Sequence, residues 1–255
     1  MSEISRFLYT IFIDILEKEV RRGPIPKHIG IIMDGNRRYA KKLGLDPKMG
    51  HIFGAKKLEE VLKWCLELGV REVTLYAFST ENFKRSQDEI EHIFNLMRSK
   101  LRELEKSEVI HKNEVQIRFI GKLELLPDDL RILMKKIEDL TRNYNKYRLN
   151  IAVAYGGRSE IVDAIRNIVK DALKGRIKAE DITEDTISRY LYTKDSLDPD
   201  LIIRTSGEER LSNFLIWQSA YSELYFVDAL WPEFTKLDFL LAIRSYQKRE
   251  RRFGK

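Results

Sequence analysis

An apolar run at residues 29–33 ends in the polar segment Asp34-Gly35-Asn36-Arg37-Arg38. A carboxylate is a natural ligand for Mg²⁺, and paired arginines match the oxygens of phosphate groups. Gly35 allows the backbone to approach a ligand closely, and the N–H groups of a helix that starts here would favour an anion. The segment therefore favours a metal-assisted diphosphate site. An ordinary strand–turn–helix junction is the competing interpretation, because the segment matches neither GxGxxG nor GxxxxGK[ST].

Two further strand-like runs also end in polar residues. Residues 73–78 lead into a polar segment from Ser79 to Arg85, and residues 201–203 lead into one that starts at Arg204. The carboxyl ends of parallel strands meet at one edge of a sheet, so these groups can line one cleft with enough arginines for more than one diphosphate. Asp34 is the carboxylate best placed to bind Mg²⁺. The pattern does not rank the other candidate carboxylates, Glu81, Glu208 and Glu223.

Several single residues near these segments admit two interpretations each. His51 orients a phosphate or shuttles a proton, or it is a structural residue at a helix start. Asn82 carries an amide, which is hardly basic, so it would position a group or a water rather than act alone as a base. Tyr39, Phe78 and Phe83 form an apolar wall of the site or belong to the core.

The elements that must position these residues alternate between strands and helices. Short apolar runs predict strands at 29–33, 73–78, 114–120, 149–154, 201–203 and 224–227. Helical spacing predicts helices at 4–19, 54–68, 88–106, 127–144, 159–173, 180–193 and 236–251. The alternation predicts an α/β fold, a single domain with a central, mostly parallel six-stranded sheet covered by helices. Residues 1–25 are predicted as an amphipathic helix and linker, and residues 26–255 as the catalytic domain.

Charge and composition narrow the classes of ligand. The net charge of +6 and the pI near 9.2 favour phosphorylated metabolites, nucleic acid or an anionic membrane surface. No interleaved aromatic and basic motif supports nucleic acid, and no apolar run reaches the roughly 20 residues of a membrane span. The first predicted helix docks on the domain or touches a membrane surface through Phe7, Ile11 and Phe12. Cys65 is the only cysteine, which excludes an internal disulfide and fits a cytoplasmic location, as does the lack of a signal-peptide pattern.

Long segments of the sequence resemble motifs of the cis-prenyltransferases, which include the undecaprenyl and dehydrodolichyl diphosphate synthases. They are HIGIIMDGNRRYAKKLG at 28–44, GH at 50–51, LYAFSTENFKR at 75–85, NIAVAYGGR at 150–158, IRTSGEERLSNFLIWQSAYSELYF at 203–226 and WPEF at 231–234. These segments follow the family's order and spacing from about residue 26 to residue 254, and the N-terminal helix is similar to that of archaeal and eukaryotic members.

The resemblance implies an activity and a set of partners. Members of the family add isopentenyl diphosphate units to an allylic diphosphate primer, farnesyl or geranylgeranyl diphosphate, and each new double bond is Z. The implied product is a long polyprenyl diphosphate that serves as a precursor of a glycosyl carrier lipid, and an apolar tunnel would hold the growing chain. Mg²⁺ is the implied cofactor. The element Arg252-Phe253-Gly254 matches the family's RxG, which reaches the active site of a partner subunit, so a homodimer is implied.

The resemblance also assigns roles to individual residues. Asp34 resembles the essential metal-binding aspartate, Glu223 the second metal carboxylate, and Asn82 a catalytic residue near the condensing carbons. Arg204, Arg210 and Ser212 resemble a clamp for isopentenyl diphosphate. The full set of implied substrate-binding residues is Gly35, Asn36, Arg37, Arg38, Tyr39, His51, Ser79, Thr80, Glu81, Phe83, Arg85, Arg204, Arg210, Leu211, Ser212, Arg252 and Gly254.

Two departures and an open question accompany this assignment. Bacterial members often carry an arginine four residues before the histidine, where this chain has Pro47 with Lys48 beside it, and Tyr39 stands where many members have tryptophan. The proton lost in each condensation has three candidate acceptors, namely Asp34, a water held by Asn82, or a diphosphate oxygen.

Three other classes of protein fit the sequence less well. A nucleotide-dependent phosphotransferase would need the Walker lysine, which is absent. Trans-prenyltransferases carry DDxxD, a pattern that is broken after Asp128-Asp129. Non-catalytic relatives that bind a catalytic partner lack the aspartate and part of the arginine set, which this chain retains. The sequence therefore predicts a catalytically competent enzyme.

Overall fold

Six strands form one sheet in the order β3-β4-β2-β1-β5-β6. The computed structural model describes residues 3–249. The strands are β1 His28–Ile32, β2 Glu72–Ser79, β3 Val115–Ile120, β4 Tyr147–Tyr155, β5 Leu201–Thr205 and β6 Glu223–Val227. The α-helices are α1 Glu3–Val20, α2 Asn36–Lys42, α3 Pro47–Leu68, α4 Gln87–Glu105, α5 Glu108–Lys112, α6 Asp128–Thr141, α7 Gly157–Leu173, α8 Glu184–Tyr190 and α9 Lys236–Lys248. The predicted α/β fold, a six-stranded parallel sheet with helices in a single domain, is confirmed. The apolar tunnel and the domain boundary near residue 26 stay predictions.

Contacts in the described chain cluster into two units. The first unit comprises residues 3–73, 200–209 and 221–249. In it, β1 pairs in parallel with β5, and β5 with β6, in a register that aligns Ile29, Leu201 and Glu223. All five residues of β1 are buried, as expected for an interior strand of a parallel sheet.

The N-terminal helix α1 belongs to this first unit. Its apolar residues Ile13, Leu16 and Val20 are buried, and the helix packs against α9. The Gln247 side chain on α9 donates a 2.7 Å hydrogen bond to the Val20 carbonyl at the end of α1. The second half of α1 therefore docks on the fold, which is one of the two outcomes expected from the sequence.

The second unit comprises residues 74–199 and 210–220. Strands β3 and β4 pair in parallel from Val115 opposite Tyr147 to Ile120 opposite Ala152. Helix α6 packs on β3 and on α4, and its apolar face buries Leu130, Met134 and Ile137. This unit also contains most of β2 and the short 3₁₀ helix Thr80–Lys84 that follows it, which the sequence pattern did not predict.

Two boundaries differ from the sequence prediction in ways that affect the site. Helix α3 begins at Pro47 rather than at residue 54, because Asp46 caps it and proline is favoured at the first helical position. His51 therefore lies within α3 and not in a preceding loop. Strand β5 continues to Thr205, two residues beyond the predicted end, so Arg204 lies inside the strand and is buried.

Candidate functional site

The backbone of Asp34 is fixed just beyond the end of β1. The Thr205 hydroxyl on β5 accepts a hydrogen bond of 3.1 Å from the Asp34 N–H and donates one of 2.7 Å to the Asp34 carbonyl. The Trp231 N–H donates a further hydrogen bond of 2.9 Å to the same carbonyl. Thr205 and Trp231 are fully buried. Asp34 is thus held by rigid neighbours, although it lies outside any helix or strand.

The Asp34 carboxylate lies between two arginines. Nη2 of Arg204 donates to Oδ2 of Asp34 at 2.8 Å, and Nη2 of Arg38 lies 3.6 Å from Oδ1. Burial by itself would raise the pKa of Asp34, but hydrogen bonds from Arg204 and Ser206 and the charges of the two arginines outweigh it. The pKa of Asp34 therefore lies below its ordinary value, and the carboxylate is ionised at neutral pH.

A tight turn after β5 holds Arg38. Nη2 of Arg38 donates to the Ser206 hydroxyl at 2.5 Å, and Nη1 lies 3.5 Å from a carboxylate oxygen of Glu208. Ser206 adopts φ +85°, a left-handed conformation that is uncommon outside glycine, and Gly207 follows with φ +72°. About half of the Arg38 side chain remains exposed (47%), so its guanidinium group can still reach an anionic ligand.

Gly35 and Asn36 join Asp34 to helix α2 in a closely packed region, where side-chain atoms on the neighbouring glycines would clash. Gly35 adopts φ +105°, and a Cβ there would lie 2.9 Å from Cδ2 of Leu230. A Cβ on Gly50 of α3 would lie 2.0 Å from the Asn36 carbonyl oxygen, and one on Gly54 would lie 2.2 Å from Oδ1 of Asn36. The start of α2 therefore packs directly against α3 at two glycines, neither of which was singled out as functional from the sequence.

The carboxylates of the first unit do not form a ready-made metal cage. Among the described residues, no group of three or more His, Cys, Asp or Glu side chains could hold a metal ion. Mg²⁺ commonly binds through one or two carboxylates, with waters and substrate phosphates completing its shell. The ionised and partly exposed Asp34 fits that mode, in which the substrate supplies several of the oxygens.

Glu223, the expected second metal carboxylate, lies at the opposite edge of the sheet from Asp34. The strand register aligns Glu223 with Ile29, five residues before Asp34, or about 16 Å along the strand direction. Its carboxylate accepts a hydrogen bond of 2.5 Å from Nη1 of Arg249. Asp34 and Glu223 of the same chain therefore do not share a binding site, and the metal role of Glu223 stays a prediction.

Three other predicted residues of the first unit lie on α2 and α3. Arg37 is exposed on the first turn of α2. The Tyr39 ring meets the Phe53 ring edge-on with centroids 5.6 Å apart, and Nε2 of His51 is buried. Pro47 occupies the first position of α3, where proline is favoured because the missing N–H would have no partner within the helix.

Asn82 in the second unit uses its amide oxygen to cap the 3₁₀ helix Thr80–Lys84. Oδ1 of Asn82 accepts a hydrogen bond of 3.0 Å from the Ser79 N–H. The Nδ2 group remains as the donor that the side chain can offer to a ligand. This arrangement makes Asn82 suited to donating a hydrogen bond to a substrate or a water, and unsuited to accepting a proton itself.

The residues next to Asn82 in the chain differ in their contacts and in their exposure to solvent. Arg85 donates to Glu89 at 2.8 Å, one turn further along the chain. The Phe83 ring packs edge-on against Phe78 and Phe94, with centroids 5.0 and 6.4 Å away, so Phe83 is part of an aromatic cluster. Glu81 is exposed, whereas Ser79 and Thr80 are half-buried.

Glu81 is held as a carboxylate by a set of hydrogen-bond donors. Burial would raise its pKa, but its own backbone N–H and the Asn213, Ser79 and Thr80 side chains outweigh that effect and place the pKa below the ordinary value. Nδ2 of Asn213 donates to Oε1 of Glu81 at 3.0 Å. Glu81 therefore remains negatively charged in the second unit.

Arg210, Leu211 and Ser212 begin a loop whose next residues are anchored in the core. Arg210 and Ser212 are exposed, while Phe214 and Leu215 are fully buried. The Tyr76 hydroxyl lies 3.3 Å from the Ser212 carbonyl, and the Tyr76 ring stacks on Phe214 at 4.8 Å. Ser212 and Asn213 also adopt positive φ values, of +47° and +68°, and backbone strain of this kind is common at functional sites.

The structure thus brings together two groups of predicted residues, one in each unit. Asp34, Arg38 and Arg204 meet in the first unit, and Glu81 and Asn82 lie on one short helix in the second. Arg252 and Gly254 lie outside the described residues. The expectation that all of these groups line one cleft stays a prediction. Sequence reasoning missed Thr205 and Asn213, although both stand beside predicted residues within the motif at 203–226.

Comparison with known proteins identifies relatives along nearly the whole chain. Residues 32–254 match the family model Prenyltransf, described as "Putative undecaprenyl diphosphate synthase". The tritrans,polycis-undecaprenyl-diphosphate synthase (geranylgeranyl-diphosphate specific) of Methanopyrus kandleri is 56% identical over 97% of this chain and 92% of that protein. The protein of the same name from Thermococcus kodakarensis is 54% identical over 97% of this chain and 94% of that protein.

Solved structures agree with these sequence relatives. The lavandulyl diphosphate synthase of Lavandula x intermedia, in complex with dimethylallyl diphosphate, superposes with a TM-score of 0.84. It is 35% identical and matches 93% of this chain and all of the other. A probable undecaprenyl diphosphate synthase from Campylobacter jejuni gives a TM-score of 0.74 at 34% identity, over 91% of this chain and all of the other.

Proposed function

Because the chain belongs to the undecaprenyl diphosphate synthase family, we propose that it extends geranylgeranyl diphosphate with isopentenyl diphosphate to tritrans,polycis-undecaprenyl diphosphate, with Mg²⁺ as cofactor. The chain is a transferase, a cis-prenyltransferase. The observation that carries the proposal is the ionised Asp34 carboxylate between Arg204 and Arg38 at the end of β1. The names of the relatives support geranylgeranyl over farnesyl diphosphate, since they print that specificity and "tritrans" matches the trans double bonds of a geranylgeranyl primer, of which a farnesyl primer has one fewer.

The first unit offers the groups that an allylic diphosphate needs. Arg37 and Arg38 present guanidinium donors on the first turn of α2, and Gly35 supplies the positive φ that turns the chain from Asp34 into this helix. Asp34 is the residue that would hold Mg²⁺ together with oxygens of the diphosphate. When bound, Mg²⁺ would neutralise the charge that develops on the leaving diphosphate.

The reaction forms one carbon–carbon bond and breaks one carbon–oxygen bond. The double bond of isopentenyl diphosphate attacks the allylic carbon, diphosphate leaves, and a proton is lost from the added unit. Arginine donors placed before the reaction stabilise the negative charge on the departing diphosphate. Positioning both substrates also removes much of the entropic cost of bringing the two carbons together. In this proposal Arg210 and Ser212 hold isopentenyl diphosphate. Arg204 contributes to binding the same substrate and also orients Asp34.

The hydrogen bonds made by Asp34 and Asn82 argue against either side chain as the acceptor of the proton. Asp34 is a weak base, because its arginine partners lower its pKa. Asn82 already accepts a hydrogen bond from the Ser79 N–H through its amide oxygen. We therefore assign the proton to a diphosphate oxygen or to a water that Nδ2 of Asn82 orients, and not to either side chain.

The exposed apolar side chains of α1 support peripheral contact with a membrane, where a long apolar product would be released. Phe7, Leu8 and Ile15 are each about two-thirds exposed (66%, 60% and 59%). No helix among the described residues is long and apolar enough to span a bilayer. An apolar helix face of this kind can lie in the lipid interface. Replacement of Phe7 and Ile15 by serine should reduce co-sedimentation with anionic lipid vesicles, and undiminished binding would contradict the assignment.

A stripe on α7 supports assembly into a homodimer. Val162, Ile165, Val169 and Leu173 are all exposed and follow one another at helical spacing. In one chain, Glu223 lies far from Asp34, which is compatible with a complete site that needs a second chain. The variant I165D/V169D should sediment as a monomer in analytical ultracentrifugation, whereas the wild type should sediment as a dimer. A wild-type monomer would refute the assembly.

The deciding experiment measures incorporation of radiolabelled isopentenyl diphosphate into butanol-extractable lipid. Assays would contain Mg²⁺ or EDTA, and geranylgeranyl or farnesyl diphosphate as primer. We expect Mg²⁺-dependent product of undecaprenyl length with geranylgeranyl diphosphate and less with farnesyl diphosphate. Equal use of both primers would overturn the primer assignment. No product with either primer would favour a non-catalytic subunit that needs a partner chain.

A further inference from the structure

Asn213 lies at the centre of the strained loop in the second unit. Ser212, Asn213 and Leu215 all have positive φ values, of +47°, +68° and +44°. Such conformations are uncommon for residues other than glycine, and asparagine tolerates them better than most. The loop is therefore held in this shape by specific contacts rather than by its intrinsic preference.

The polar atoms of Asn213 reach two other segments of the second unit. The Asn213 carbonyl oxygen accepts a hydrogen bond of 2.7 Å from the Gly157 N–H, and Oδ1 accepts one of 2.9 Å from the Arg158 N–H. These are backbone donors of the first turn of α7, which lack partners within the helix. Gly156, the residue that precedes α7, provides no side-chain cap, so Asn213 acts as the cap from a distant part of the sequence.

The third polar group of Asn213 connects this cap to the segment that carries Asn82. Nδ2 of Asn213 donates a hydrogen bond of 3.0 Å to Oε1 of Glu81. A Cβ on Gly156 would lie 2.7 Å from Nδ2 of Asn213 and 2.8 Å from Oγ1 of Thr80, which shows how closely the three segments approach. One side chain thus fixes the 3₁₀ helix Thr80–Lys84, the start of α7 and its own loop to one another.

We propose that Asn213 is a positioning residue for the condensation, one that sets Arg210 and Ser212 relative to Asn82. The proposal rests on the proposed function, which gives those three residues their binding roles. Asn213 itself is not a catalytic residue, because its amide is occupied by Glu81 and the α7 backbone. Its contribution is to hold the isopentenyl diphosphate side of the reaction in one geometry, and small displacements there are costly in rate.

Only an amide satisfies both partners of the Asn213 side chain. Oδ1 must accept from the Arg158 N–H while Nδ2 donates to the Glu81 carboxylate. The variant N213D keeps the size, the acceptor and the tolerance of a left-handed backbone, but it places a second carboxylate against Glu81. Like charges at this distance raise the pKa of one member of the pair. In N213D one carboxyl group therefore has a higher pKa in the folded chain than in the unfolded chain, so the free energy of unfolding falls as the pH rises.

The first test compares N213D with N145D, the same change at an exposed residue in the loop before β4. At about pH 8, N213D should lower the Tm and raise the KM for isopentenyl diphosphate by about tenfold, as expected for loss of a charge-assisted hydrogen bond. The KM for the allylic primer should stay within about twofold. Both defects should shrink towards about pH 5.5, where the two carboxylates share a proton. N145D should show neither the defects nor their pH dependence.

The second test exchanges the donor and the acceptor. In E81Q/N213D, the amide of residue 81 can donate to the carboxylate of residue 213, so the Tm lost in N213D at about pH 8 should be regained. A pH-independent loss in N213D, an equal rise in both KM values, or additive losses of Tm in the double variant would each overturn the proposal. An inactive wild-type chain would overturn the proposed function, and the Tm cycle, which needs no substrate, would still report whether Asn213 couples to Glu81.

Discussion

Nη2 of Arg204 lies 2.8 Å from Oδ2 of Asp34, so the expected metal carboxylate is also a partner of a buried guanidinium group. Arg204 is 4% exposed and Asp34 is one-third exposed. Removing one member of a buried ion pair leaves the other charge poorly compensated. From the sequence alone, replacing Asp34 by alanine would remove no core volume and would leave the fold intact. The structure indicates that this substitution also costs stability.

Two substitutions separate the chemical role of Asp34 from its structural role. D34N and D34A should both reduce incorporation of isopentenyl diphosphate by about a thousandfold or more, because neither supplies a charged metal ligand. D34N keeps a hydrogen-bond acceptor for Arg204, so its free energy of unfolding should fall less than that of D34A, which should lose about 1–3 kcal/mol. Urea unfolding and the incorporation assay measure the two effects. E60Q, on the exposed face of α3, serves as a charge control, and near-normal turnover by D34N would contradict the metal role.

The Asp34–Arg204 pair also makes stability depend on pH. The pKa of Asp34 is lower in the folded chain than its ordinary value, so its contribution to stability is present above the unfolded pKa, near 3.8, and is lost as the pH falls through the folded pKa. The difference in unfolding free energy between wild type and D34N should therefore be constant near neutral pH and shrink below about pH 4. Urea unfolding at a series of pH values tests this. A difference in unfolding free energy that grows as the pH falls would show that the arginines do not keep Asp34 ionised.

The fold was readable from the sequence because its signals are local. Short β-branched runs and helical spacing located all six strands of the described chain and most of its longer helices. The main error in a helix boundary has a local cause, since the predicted helix began only at residue 54, whereas proline at the first position of a capped helix is favourable and α3 begins at Pro47. The 3₁₀ helix Thr80–Lys84 was missed because one turn carries too little periodicity.

The geometry of the site depends on contacts between residues far apart in sequence. Arg204 was assigned only to isopentenyl diphosphate, because its burial in β5 and its bond to Asp34, 170 residues away, leave no local signal. The hydrogen bonds between Thr205 and Asp34, and between Asn213 and Glu81, also join residues far apart in sequence, by 171 and 132 positions. The sequence identified which residues carry the chemistry, whereas their hydrogen-bond partners could be identified only from the folded structure.

Thr205 should matter through its hydroxyl group alone. T205V has nearly the same shape but loses the bonds to the N–H and carbonyl of Asp34, each of which keeps one other backbone partner. We expect kcat to fall about tenfold with a loss of about 1–2 kcal/mol in unfolding free energy, as typical for buried hydrogen bonds. T205S restores the hydroxyl and should recover most of kcat despite the missing methyl group. Equal defects in T205V and T205S would show that Thr205 contributes packing and not positioning.

Gly50 should be essential for the contact between α2 and α3. In most helices, replacing glycine by alanine stabilises the fold by about 1 kcal/mol, because it reduces the flexibility of the unfolded chain. In G50A, however, the new Cβ would lie 2.0 Å from the Asn36 carbonyl oxygen, which belongs to backbone and cannot rotate away. We expect G50A to lose about 2 kcal/mol in unfolding free energy and to raise the KM for the allylic primer, since α2 and the preceding Asp34 must shift. G54A meets only the Asn36 side chain and should be the milder variant. Urea unfolding and primer titrations decide the matter, and a G50A chain as stable as the wild type would refute the close approach of the two helices.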